Sequence, residues 1–377
     1  MILHLCVDEK FIDYAIDSFE KIIPLENKYL IVVPNADYKL KWIKKIDKVE
    51  CIEDSEKSID EILRKLSQYK AIVFHSLFPL FFLRLIDYID NKKVKFIWFF
   101  WGGEFYDNPQ ICAKYIGNLT YLRFIHTFLR IKIGYLRVKI RHHFREISIK
   151  KSIKKIDYIV ANEEDFNIIS RKWGGSMDKL EWYYFSIEET VGKQLIDKTV
   201  QNNNVFIGNS ATFTNNHLEI FKKLKKIELS DKKVIVPLSY GNEEYGKYIA
   251  KVGHKIWKNN FIPLMTFLER EQYNHYILNC GIVIFNHYRQ QAAGNIITSL
   301  WLGSKVYMSE RSSLYKYFIN EGLILFSIER DLNKNNPNVF ESLLDEQKKK
   351  NRSILYKKFS KENILKLTKR LVEIIDD

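Results

Sequence analysis

Twelve short apolar runs, alternating along the chain with stretches of helical periodicity, constrain the fold more than any other feature. In the first half they cover residues 2–7, 28–33, 48–52, 71–74, 95–101 and 158–161. In the second half they cover 204–208, 233–237, 262–264, 281–285, 305–308 and 323–326. Strand and helix in strict alternation predict an α/β protein with doubly wound parallel sheets. At 377 residues the chain exceeds one ordinary domain, so two lobes with separate cores are expected. A polar stretch at 191–204, ending in Asn202-Asn203-Asn204, reads as the linker between lobes 1–190 and 205–377. The helical pattern over 362–375 is able to cross back to the first lobe. Two Rossmann-like lobes facing each other across a cleft constitute the GT-B architecture, although such lobes serve other chemistry as well.

Charge narrows the partners. The net charge is +14, which predicts an acidic ligand or surface. Residues 123–155 carry about ten Lys and Arg against the single acid Glu146, interleaved with aromatic and aliphatic side chains. A basic amphipathic segment of this kind suits an anionic bilayer; a helix pair with solvated basic faces is the plainer alternative. No nucleic-acid recognition pattern accompanies the charge. Cys6, Cys51, Cys112 and Cys280 have neither paired nor zinc-type spacing, as expected of a reducing compartment. Acidic residues interrupt the amino terminus before a signal-peptide core can form, and no apolar run is long enough to span a bilayer. The expected location is cytoplasmic.

Candidate site residues cluster at strand ends, where ligands bind in open α/β sheets. The run Asn286-His287-Tyr288-Arg289-Gln290-Gln291-Ala292-Ala293-Gly294-Asn295 joins a strand to a helix. Arg289, Gln290, Gln291 and Gly294, at a helix amino terminus, suit a diphosphate. Gly208, Asn209 and Ser210 follow another strand, and Asn215-Asn216-His217 opens the next helix; helix capping alone also explains them. Tyr240, Asn242 and Glu243 suit a nucleoside, or else merely start a helix. In the first half, Gly102-Gly103 permits a sharp turn that would hold Glu104 over the cleft as a general base. His75 is a second catalytic candidate if partly buried, and otherwise a satisfied core histidine. No Asp-x-Asp metal motif stands at a strand end, so neither metal nor other cofactor is expected.

Several motifs occur here in a familiar order. They are Phe74-His75, Trp101-Gly102-x-Glu104-x-Tyr106, Gly208-Asn209-Ser210-x4-Asn215-x-His217, Val236-Pro237-x2-Tyr240, Asn242-Glu243-x-Tyr245 and Arg289-Gln290-Gln291-x2-Gly294. Through them the chain resembles the TDP-4-acetamido-4,6-dideoxygalactose (Fuc4NAc):lipid II transferases of enterobacterial common antigen synthesis, the 4-α-L-fucosyltransferase family or glycosyltransferase family 56. The resemblance spans roughly 70–330.

It implies an enzyme peripheral on the cytoplasmic face of the inner membrane, and the missing Asp-x-Asp motif fits a metal-independent GT-B enzyme. Such an enzyme moves an amino-dideoxy sugar from dTDP to an undecaprenyl-diphosphate-linked saccharide of a surface polysaccharide, whether common antigen, O-antigen or capsule. The resemblance places the donor in the second lobe, on Arg289, Gln290, Gln291, Gly294, Gly208, Asn209, Ser210, His217, Tyr240, Asn242 and Glu243. It places the acceptor in the first, beside Trp101, Gly102 and Tyr106, with Glu104 as catalytic carboxylate and His75 behind it. The chain departs from the family at Thr212-Phe213, where Asp-Arg is usual, at Glu104, where Asp is usual, and at Ala292-Ala293, where one glycine is lost. Another nucleotide sugar such as GDP-fucose fits the same scaffold. A nonenzymatic protein binding anionic lipid or glycan is the alternative of another class.

Overall fold

The computed structural model describes residues 1–89, 93–107, 112–130 and 148–377. The chain forms two compact units. One comprises Met1–Asn108, Ile133–Ser186 and Lys361–Asp377; the other comprises Pro109–Lys132 and Ile187–Ser360.

The first unit is built on a parallel sheet in the order β3-β2-β1-β4-β5-β6-β7. Its strands are β1 (Ile2–Cys6), β2 (Asn27–Val33), β3 (Val49–Glu53), β4 (Ala71–His75), β5 (Lys95–Phe99), β6 (Tyr158–Val160) and β7 (Asp178–Leu180). Every residue of the central pair β1 and β4 is buried, because helices cover both faces of a parallel sheet. Their sequences are accordingly apolar almost throughout. The exceptions are His4 and His75, both fully buried. Strand β7 was not among the expected runs: it is an edge strand with Asp178 and Lys179 exposed, so no apolar pattern marks it.

The second unit carries a parallel sheet in the order β10-β9-β8-β11-β12-β13. Its strands are β8 (Val205–Ile207), β9 (Val234–Pro237), β10 (Phe261–Leu264), β11 (Ile282–Phe285), β12 (Lys305–Met308) and β13 (Phe326–Ser327). In each sheet the chain order reverses between two neighbours, β1 and β4 in the first and β8 and β11 in the second. The loops beyond the carboxyl ends of such a pair diverge and leave a crevice.

Two segments associate away from their sequence neighbours. Phe124 and Phe128, lying between β5 and β6 in sequence, pack with Phe213 of the second unit at ring separations of 5.3 and 5.0 Å. Glu219 holds the same segment by accepting from the Thr120 amide at 2.9 Å and its hydroxyl at 2.6 Å. Conversely, the final helix Lys361–Asp376 places Leu371, Val372 and Ile375 against Ile2, Phe19 and Phe99 of the first unit. The stretch 191–204 is fastened to the second unit, with Val200 N donating to Leu302 O at 2.8 Å and Gln201 N to Leu278 O at 3.0 Å.

Much of the basic segment 123–155, namely residues 131–147, lies outside the described residues. No helix among the described residues is long and apolar enough to cross a membrane. All four cysteines are free thiols.

Candidate active site

The crevice between β8 and β11 is closed by a hydrogen-bonded lattice of polar side chains. Gly208 follows β8 with φ of +71°, and its amide donates to Ile284 O at 2.9 Å. A Cβ at Gly208 would stand 2.5 Å from Asn215 Oδ1 and 2.8 Å from His217 Nε2, so only glycine fits both the conformation and the space. Asn215 Oδ1 accepts from Asn209 N at 2.8 Å and lies 2.9 Å from His287 Nε2. Its amide donates to Ser210 Oγ at 3.0 Å and Thr212 Oγ1 at 2.8 Å.

Gln291 crosses from the β11 side, donating to Asn209 Oδ1 at 3.0 Å and accepting from Thr214 Oγ1 at 2.7 Å. The Gly208–Ser210 turn, Asn215, His217 and the 287–291 loop are therefore one assembly. His217 and His287 are fully buried, and burial lowers the pKa of each to about 3, leaving both neutral. His217 Nε2, His287 Nδ1 and Gln290 Oε1 have no hydrogen-bond partner among the described residues.

Above this lattice, Ala292 sits in the left-handed region with φ of +61° and caps the helix Ala293–Leu302. For a residue with a Cβ this costs about 1 kcal/mol. Such a conformation, held at a strand-to-helix junction, directs the helix amino terminus and its amides toward the loop that carries Arg289. At Gly294 a Cβ would meet only Thr190 Cγ2, at an ordinary 3.8 Å. Packing does not require glycine there.

The remaining donor-side candidates divide. Tyr240 joins the lattice, its hydroxyl accepting from Asn209 Nδ2 at 2.8 Å while the residue as a whole is 55% exposed. Asn242 is committed to the amino terminus of the helix Glu243–Trp257, accepting from Tyr245 N at 2.8 Å. Glu243 lies on the exposed first turn of that helix and pairs with Lys247 at 2.6 Å.

In the first unit Glu104 turns inward and is not held out from the sheet edge. Gly102, with φ of +96°, starts the short helix Gly103–Tyr106, and the carboxylate folds back beneath it. Glu104 Oε1 accepts from Trp98 Nε1 at 3.1 Å and from Trp101 N at 3.2 Å. Oε2 is buried without a hydrogen-bond partner of good geometry among the described residues. Desolvation raises the pKa of this carboxyl, opposed in part by nearby N–H groups of Trp101, Trp98 and Leu77. Tyr106 is buried and donates its hydroxyl to Asp165, so it braces the turn from inside.

His75 is entirely buried, where partial burial would have suited a catalytic role, and both ring nitrogens are engaged. Nδ1 lies 2.7 Å from Tyr184 Oη and Nε2 lies 3.1 Å from His4 Nδ1. His4 Nε2 continues to Asn27 Oδ1 at 3.2 Å, and Trp101 Nε1 donates to Tyr184 Oη at 2.8 Å. The chain of contacts supports the half-buried Trp101 indole at the end of β5. Of the residues expected near an acceptor, Trp101 alone retains an accessible side chain.

Asn215, Thr212, Thr214 and His287 hold the second-unit lattice together, and the sequence pattern alone assigns none of them a binding role. His287 lies in the Asn286–Asn295 run and Asn215 in the Gly208–His217 motif, and a sequence pattern shows those positions without their mutual contact. Among the described residues no group of three or more His, Cys, Asp or Glu has metal-binding geometry.

Comparison with known proteins adds two findings. Residues 133–368 match the family described as 4-alpha-L-fucosyltransferase glycosyl transferase group 56. The fold resembles a glycosyltransferase from Rickettsia africae at 13% identity and a TM-score of 0.65, covering 100% of this chain and 97% of that one. HepE of Anabaena in complex with UDP is similar at 11% identity and 0.65, covering 100% and 99%. Sucrose-phosphate synthase from Thermosynechococcus elongatus is similar at 10% and 0.63, again covering 100% and 99%. Together with the two parallel sheets, these likenesses establish the GT-B fold.

Proposed function

This chain belongs to the 4-alpha-L-fucosyltransferase glycosyl transferase group 56 family, and from that premise we propose that it transfers a deoxy- or amino-dideoxy-sugar of the Fuc4NAc type from dTDP to an undecaprenyl-diphosphate-linked saccharide. Membership makes it a glycosyltransferase and sets aside the nonenzymatic alternative. The donor, the acceptor and residence on the inner face of the inner membrane are the proposal.

One observation carries the placement of the donor. The lattice of Gly208, Asn209, Asn215, His287 and Gln291 occupies the switch point of the second sheet and adjoins a helix amino terminus with a glycine that packing does not demand. The diphosphate lies against the first turn of Ala293–Leu302, with the guanidinium of Arg289 gripping two of its oxygens. Gly294 lets the phosphate approach the backbone. These groups balance charge on the leaving diphosphate, so the transfer needs no metal ion. Tyr240 offers its exposed ring to the base. Glu104, buried with one oxygen held by Trp98 and Trp101, is the carboxylate proposed as base, a role that requires the attacking hydroxyl to reach its Oε2 beneath the Gly102–Tyr106 turn. Trp101 forms an aromatic wall for the acceptor.

The test is transfer of radiolabelled sugar from dTDP-Fuc4NAc, dTDP-fucose or GDP-fucose to a lipid-linked saccharide. Product from a dTDP donor supports the reading. Product from GDP-fucose alone keeps the reaction and replaces the donor, and no product from any donor overturns the proposed donor class.

A further inference from the structure

The first unit presents a second feature at the carboxyl edge of its sheet. The segment following β2 contains Lys39, Lys41, Lys44, Lys45 and Lys48 against only Asp37 and Asp47. It has little regular structure, yet two half-buried carboxylates fix its backbone. Asp8 accepts from the amides of Lys41, Trp42 and Ile43 at 2.6, 3.0 and 3.2 Å and from Tyr38 Oη at 3.1 Å. Asp13 accepts from the amides of Lys44 and Lys45 at 3.0 and 3.2 Å. Six donors converge on two acids, which turns the loop into a rigid platform at little further entropy cost.

What the platform displays is unusual for a surface loop. Trp42 is 45% exposed, with Lys39, Lys41 and Lys44 exposed around it, while Ile43 alone of this stretch is buried as an anchor. The sheet is parallel, so the loop after β4 emerges at the same edge, about 10 Å away across β1. That loop exposes Phe78, and Leu80 at the start of the helix that follows is exposed beside it. A large amphipathic ring, flanking apolar side chains and a surround of lysines match the headgroup region of an anionic bilayer, where tryptophan settles and each cation adds attraction.

We propose that the Lys39–Lys44 loop, with Trp42 at its centre, docks the first unit onto an anionic lipid surface. The inference rests on the proposed lipid-linked acceptor, and it assigns the contact to a segment separate from residues 123–155. Docking here would bring the strand-end edge that bears Trp101 toward the membrane in which such an acceptor is embedded.

Co-sedimentation of the full chain with phosphatidylglycerol/phosphatidylcholine vesicles, compared with phosphatidylcholine alone, tests it. At physiological ionic strength the Lys39→Gln/Lys41→Gln/Lys44→Gln variant should lose about a hundredfold in partitioning, about fivefold per lysine removed. Trp42→Ala should lose several-fold, and both variants should keep the wild-type melting temperature and transfer to a water-soluble acceptor. Wild-type binding that both variants retain overturns the loop assignment while leaving the acceptor reading intact. A wild type that ignores anionic vesicles overturns membrane docking by this loop, while sugar transfer to a lipid-linked acceptor in detergent separately tests the acceptor reading. A wild type that ignores vesicles but binds duplex DNA through these lysines would mark a nucleic-acid surface and overturn the proposal.

Discussion

His4 Nδ1 and His75 Nε2 lie 3.1 Å apart in the fully buried centre of the first sheet, and the network around them permits only one direction of donation. Asn27 Nδ2 donates to Glu20 Oε1 and Ile23 O, so Asn27 Oδ1 can only accept from His4 Nε2; with both rings neutral, Tyr184 Oη donates to His75 Nδ1 while accepting from Trp101 Nε1. His75 Nε2–H must then donate to His4 Nδ1, and His4 Nε2–H to Asn27 Oδ1. Both rings are neutral Nε2–H tautomers. Protonating either one would set two donors against each other. Histidine 15N shifts should show this tautomer for both residues, and an Nδ1–H form of either would contradict the network.

Stability should fall on mild acidification. Burial lowers the pKa of His4, His217 and His287 from 6.5 to about 3 and puts His75 well below its ordinary value. The unfolded chain protonates first, so this contribution is whole above pH 6.5 and is lost as pH falls toward 3. Between pH 7 and 5 each histidine should remove on the order of 2 kcal/mol. The raised carboxyl of Glu104 acts in the opposite sense, since the folded state binds its proton more readily. Urea midpoints should drop steeply from pH 7 to 5; a flat profile would contradict neutral burial of these rings.

Glu104→Gln separates chemistry from folding. The amide oxygen can still accept from Trp98 and Trp101, so the fold should persist, while loss of the base should lower kcat by about 10²–10⁴. Wild-type turnover in this variant would leave Glu104 as a brace for the turn.

Glycine substitutions should divide the donor loop in the same way. Gly208→Ala meets Asn215 and His217 and also forces a positive φ, so it should destabilise the second unit by about 1–3 kcal/mol. Gly294→Ala has room and lies in a helix, so it should raise stability by about 0.5–1 kcal/mol. Its donor KM should nevertheless increase, because the methyl would stand where the diphosphate approaches. A higher melting temperature with unchanged KM would move the phosphate elsewhere.

Transfer should survive EDTA. If Arg289 and the helix amino terminus carry the leaving-group charge, chelation should leave kcat unchanged, whereas loss restored by Mg2+ or Mn2+ would require an ion at the diphosphate.

The strands were legible because parallel strands covered on both faces are written almost wholly in apolar residues. The apolar run 305–308 coincides with its strand, and most other runs end within one or two residues of theirs. Strand β7 escaped because Asp178-Lys179-Leu180 lies at an edge where polar residues cost little. The Asn286–Asn295 junction was visible as a strand-to-helix turn with unusual polar content. Its coupling to Asn215, some 70 residues earlier, could not be seen, since periodicity describes faces and not contacts between loops.

The same limit hid the role of His75. Its partners His4 and Tyr184 stand 71 and 109 residues away, and only the sheet order brings them together. Phe124 and Phe128 lie between β5 and β6 in sequence, so their attachment to the second unit depends on side-chain packing that no local pattern records.

Calorimetric titration of dTDP into the wild type and into Arg289→Ala tests donor binding in the second unit most directly. A diphosphate held by Arg289 predicts saturable binding to the wild type and a loss of several kcal/mol in the variant, with the melting temperature of the free protein unchanged. Equal affinity in the two proteins, or binding of UDP and GDP in preference to dTDP, would contradict it.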